Sequence, residues 1–92
     1  MTMVKEICQR VKAEFPNADE YMAHCGLYGV ILPWDGKVIV VTDSMEKDGH
    51  LTVGWYTQEQ WESANGQCIG YAEVDSVEGA MEWVNKWTGG DA

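Results

Sequence analysis

The clearest pattern along the chain is an apolar stripe at its start. Val4, Ile7, Cys8, Val11 and Phe15 recur at i, i+3, i+4, i+7 and i+11, the spacing of one helix face. Lys5, Glu6, Arg10, Lys12 and Glu14 fall off that stripe. Thr2 is placed to cap the helix, and Pro16 disfavours helical geometry at Phe15 and ends it. Asn17–Glu20 reads as a turn. Gly26–Leu32 and Lys37–Thr42 are short, β-rich runs, and Pro33-Trp-Asp-Gly36 between them has the residues of a four-residue turn. The second run is apolar at successive positions, as expected of a central strand or one covered on both faces.

Asp43–Gly49 is polar and reads as a loop. In His50–Thr57, Leu51, Val53 and Trp55 share one face of a third strand, and Thr52 and Tyr56 the other. Thr57-Gln-Glu-Gln60 fits a capping box, so Gln58–Ala64 either makes one or two helical turns or extends the strand. Asn65-Gly66 is a tight-turn signal, and Gln67–Val74 reads as the fourth strand. Asp75-x-x-Glu78 resembles a capping box that opens a last helix at Asp75 or Ser76. Its stripe is Val77, Ala80, Met81, Val84 and Trp87, and Gly89-Gly90 stops it. The expected fold is therefore α+β, one domain over residues 1–92. A four-stranded antiparallel sheet is flanked by N- and C-terminal helices, Val4–Phe15 and Ser76–Trp87, in the order α-β-β-β-β-α, with both helices on one face.

Composition limits the function classes. No run approaches the roughly 20 apolar residues of a membrane span, and Met1–Arg10 has no signal-peptide core. Three cysteines, Cys8, Cys25 and Cys68, make an odd count with no pairing pattern, which fits a reducing compartment and no disulfide framework. The expected location is cytoplasmic. His24-Cys25, with His50 and Cys68 downstream, lacks both C-x₂-C and H-x₃-H spacing. Neighbours in an extended segment point to opposite faces, so His24 and Cys25 would not pair there. No metal site, cofactor or catalytic residue is expected, and Asp19/Glu20 and Glu78/Glu82 read as solvated surface.

Charge and aromatic content point further. The formal charge is −9. Residues 1–47 hold seven acids and five bases, whereas residues 48–92 hold eight acids and only Lys86. Such a surface repels nucleic-acid phosphates and anionic lipid and steers toward a basic partner. Five tryptophans are heavy usage for 92 residues. Trp55 and Trp87 lie on expected inner faces, Trp83 borders the last helix stripe, Trp34 falls at a turn tip and Trp61 in a polar segment. Exposed aromatics beside acids have the composition of interface anchors and rim. The candidate partner-binding residues are Glu59, Trp61, Glu62, Glu73, Asp75, Glu78, Glu82 and Trp34.

The stretch Leu51–Trp87 carries an aromatic strand (LTVGWYT), an acidic connection (QEQWESANG), a second strand (QCIGYAEV) and a closing helix (DSVEGAMEWVNKW). In this style it resembles small inhibitors encoded by phages and mobile elements, of the anti-CRISPR type. No functional residue carries over from the resemblance. It implies stoichiometric binding to a host defence complex that handles nucleic acid. Three readings follow: such an inhibitor; an immunity or antitoxin-like partner of a basic toxin; or a small homodimeric phage structural or assembly protein. The partner expected is a basic protein surface, with the chain monomeric or homodimeric.

Overall fold

A computed structural model describes residues 3–22, 28–44, 47, 49–63 and 69–89. Thr2, His24, Cys25, Asn65-Gly66 and Cys68, together with the Gly90 half of the helix stop, lie outside the described residues. The elements run α1 (Met3–Glu14), β1 (Asp19–Met22), β2 (Tyr28–Trp34), β3 (Lys37–Asp43), β4 (Leu51–Thr57), α2 (Gln58–Glu62), β5 (Gly70–Val74) and α3 (Val77–Thr88). The strands form one antiparallel sheet in chain order, β1-β2-β3-β4-β5.

Among the described residues the sheet has five strands rather than the four expected. The extra one, β1, begins inside the segment read as a turn. Asp19-Glu-Tyr-Met is short and opens on two acids, composition that strand propensity disfavours. It is strand because its backbone pairs from Asp19↔Ile31 to Met22↔Tyr28. The apolar β3 is the central strand, as its pattern indicated.

The β2–β3 turn is tighter than the sequence suggested. Only Asp35 and Gly36 form it, with φ of 46° and 78°, the left-handed pair that a two-residue hairpin turn requires. Pro33 and Trp34 are consequently strand residues, paired with Val38 and Lys37. Proline is tolerated because β1 pairs with β2 only as far as Ile31, so the missing N–H falls where β2 has no outer neighbour.

Both helices cover one face, as their stripes require. Val4, Ile7, Cys8 and Val11 of α1 and Val77, Ala80, Met81 and Val84 of α3 are buried. They pack with Val30, Leu32, Ile39, Val41, Leu51 and Val53 in one core. Ser76, not Asp75, caps α3: its side chain accepts from the Gly79 N–H at 3.0 Å. The serine wins because its short side chain reaches that amide from extended backbone. Gly89 closes the helix at φ +70°. No helix of the described residues is long and apolar enough to cross a membrane.

Candidate protein-binding surface

Strand alternation puts a second set of side chains on the face away from α1 and α3. The register sets Tyr21 opposite Gly29, Ile31 opposite Val40, Val38 opposite Tyr56, and Gly54 opposite both Val40 and Tyr71. This face mixes apolar side chains with Asp19, Thr42, Thr52 and Glu73 and is only partly covered. Ile69 and Tyr71 are 52% and 56% exposed, and Ile31 and Val40 are half-buried.

The five-residue helix α2 covers one end of it. The capping box foreseen in the sequence is formed: Thr57 Oγ1 accepts from the Gln60 N–H at 3.0 Å, and Gln60 Oε1 accepts from the Thr57 N–H at 3.2 Å. This settles the segment as helix rather than an extension of β4. The Gln58 N–H also donates to the Gly36 carbonyl at 2.9 Å, fastening α2 to the β2–β3 turn. Trp61 then lies between two tyrosines, 5.4 Å from the Tyr21 ring centroid and 5.3 Å from that of Tyr56. Tilted rings at such distances attract beyond the area they bury. Val38 is 1% exposed although it stands outside the main core cluster.

The eight sequence candidates are divided among four places. Glu59, Trp61 and Glu62 sit together on α2, with both acids exposed. Glu73, Asp75 and Glu82 line a shallow groove of about 440 Å³ beyond the end of β5, beside Lys47, His50 and Trp83. Glu73 accepts there from the Ser44 hydroxyl at 2.6 Å and lies 3.8 Å from Lys47 Nζ. Glu78 is drawn into the helix layer, paired with Arg10 across α1 and α3. Trp34 is not at a turn tip. It is half-buried, packed edge-on against Phe15 at 5.6 Å, because β2 runs two residues further than its sequence suggested. Tyr21, Tyr56, Ile69 and Tyr71 belong to the open face and were not among the candidates. Alternation gave a signal for Tyr56 only, and Tyr21 was hidden with β1.

Basic side chains are segregated by the same alternation. Lys5, Arg10 and Lys12 ride on α1 and Lys86 on α3. Lys37 turns toward α3, where it donates to the Trp87 carbonyl at 2.7 Å and stands 5.3 Å above the Trp55 ring. Lys47, the sixth, neighbours Glu73 in the β3–β4 connection. By register, no base projects from a strand onto the open face, whereas Asp19 and Glu73 do.

A second cleft, of about 400 Å³, lies on the helix side against Lys5, Cys8, Lys12, Glu20 and Tyr28. The Tyr28 hydroxyl donates to Glu20, and Lys12 Nζ donates to the same carboxylate at 3.2 Å. The hydrogen bond from Tyr28, reinforced by Lys12, holds the Glu20 carboxyl below its ordinary range. The same bond pushes Tyr28 up to about 12. Burial pushes the Cys8 thiol up as well. Cys8 and Tyr28 therefore keep their protons at neutral pH, the reverse of what an activated nucleophile needs. The cluster ties α1 to β1 and β2. Among the described residues, no three His, Cys, Asp or Glu side chains converge as a metal site requires.

No protein-family model, no curated protein and no solved structure matches this chain.

Proposed function

We propose that this chain is a stoichiometric protein-binding inhibitor whose open sheet face seats on a basic surface of a nucleic-acid-handling protein, as a phage-encoded inhibitor would seat on a CRISPR-type defence effector. One observation carries the reading: the face that bears exposed apolar side chains receives no base from any strand and is flanked by Glu59 and Glu62. The aromatic cluster around Trp61 supplies a desolvated anchor, and the acids supply steering toward cations. A second copy of the chain is a poor occupant, because the same acids would face one another.

The test is capture of the partner from bacterial lysate, its identification, and competition with nucleic acid. Trp61→Ala should weaken binding by about 2 kcal/mol or more. Glu59→Lys with Glu62→Lys should weaken it further and flatten its salt dependence. Glu78→Lys, on the helix side, should leave it unchanged. A partner that tolerates the Glu59/Glu62 reversal, or that stays bound with nucleic acid in its own cleft, rules the reading out.

A further inference from the structure

The two edges of the sheet differ. β1 is short and begins with Asp19-Glu20. Asp19 Oδ1 accepts from the Glu20 N–H at 2.8 Å, and the Glu20 side chain is bound by Lys12 and Tyr28. Such an edge is guarded by charge and by its attachment to α1. Among the described residues β5 pairs only with β4, and its single charged side chain, Glu73, lies on the open face beside Lys47. Gly70-Tyr-Ala-Glu-Val74 contains no lysine and no proline, and its open-face tyrosine, Tyr71, with Ile69 just before it, is largely exposed. Just past Val74 the same edge runs into the groove bearing Asp75 and Glu82, both exposed.

We infer that β5 is a receiving edge: an extended segment of the partner protein adds to it as a sixth strand, laying apolar side chains on Ile69 and Tyr71 and an arginine or lysine in the Asp75–Glu82 groove. The inference rests on the protein-binding reading and specifies how the partner is held. Strand addition supplies affinity through main-chain hydrogen bonds, and the side chains on alternate positions supply selection. Charge complementarity selects the occupant. Lys47 is already matched with Glu73, and among the described residues no ion pair engages Asp75 or Glu82, so these two acids are placed to meet an incoming cation. A second copy pairing β5 to β5 would instead bring two sets of these acids together.

The probe is a short synthetic peptide alternating valine with arginine, added to the full chain and followed by amide hydrogen exchange and nitrogen–proton NMR. Two control peptides are used, one with glutamate for arginine and one of equal charge interrupted by prolines. The inference expects slowed exchange within Gly70–Val74 for the valine–arginine peptide alone. Asp75→Lys with Glu82→Lys should weaken that peptide by about tenfold or more. Glu59→Lys with Glu62→Lys should leave the exchange pattern in place. Equal binding by the proline peptide, protection in Asp19–Met22 instead, or a β5-paired dimer that the peptide does not open would each overturn the strand-addition mode. If the natural partner is lost on Glu59/Glu62 reversal but not on Asp75/Glu82 reversal, strand addition fails while the protein-binding reading stands.

Discussion

The two faces of this sheet are built from the same strands and meet different fates. On the helix side, Val30, Leu32, Ile39, Val41, Leu51 and Val53 alternate with the residues of the other face and vanish beneath α1 and α3. On the other side, Ile31, Val40, Tyr56 and Tyr71 are also apolar or aromatic, yet among the described residues only the short α2 packs on that side. An antiparallel sheet with one solvated face ordinarily alternates apolar with polar. Here the second face keeps Thr42, Thr52 and Glu73 but is apolar at Ile31, Val40, Tyr56 and Tyr71, and that part-exposed apolar patch is where we propose that a partner docks. Stability thus resides in the helix-covered face, and the proposed docking surface is the other.

Adjacent residues of β2 give the largest contrast. Leu32 is fully buried in the core, and its neighbour Ile31 points to the open face. Leu32→Ala should cost about 3 kcal/mol or more in urea unfolding, and Ile31→Ala under about 1 kcal/mol. Equal losses would mean that the open face is a second core and not a docking surface. Gly70 sharpens the boundary next. A methyl group there would stand 2.5 Å from the Trp55 ring and 3.1 Å from Trp87. Gly70→Ala should destabilise by about 1–3 kcal/mol, with a changed near-ultraviolet circular dichroism that shows the tryptophans displaced.

The smallest effect concerns pH. Glu20 is a helix-side group whose folded carboxyl is held below its ordinary range by Tyr28 and Lys12. Its stabilisation is present above the unfolded value and fades as pH falls through the lowered folded value. Glu20→Gln should flatten the acid limb of the stability curve and speed exchange in β1 at neutral pH. An unchanged acid limb would mean that the network does not hold β1.

Much of the helix side was legible in the sequence because periodicity reports burial. Four of the five stripe positions of each helix are buried, Phe15 and Trp87 being half-buried at the ends, and the Thr57–Gln60 capping box was readable by spacing. β1 was not legible: a four-residue edge strand rich in acid has no pattern of its own and exists through its ladder with β2. Trp34 was misplaced for a related reason. Its dipeptide with Pro33 reads as a turn until the Asp35–Gly36 geometry is known. Charge and aromaticity along the chain single out the candidate residues. The fold kept Glu59, Trp61 and Glu62 as one patch because a single short helix carries them, and it sent Glu78 and Trp34 to the helix layer, where partners from distant segments, Arg10 and Phe15, receive them.

The division of the aromatic residues has an optical consequence. Trp34, Trp55, Trp83 and Trp87 all pack against the helix-side core, and Trp83 and Trp87 lie 5.2 Å apart. Trp61 alone among the five indoles stands on the opposite side of the sheet, with Tyr21 and Tyr56 close enough to pass it absorbed light. The chain thus carries its own fluorophore on the surface assigned to docking, separated by the sheet from four indoles that report the integrity of the core.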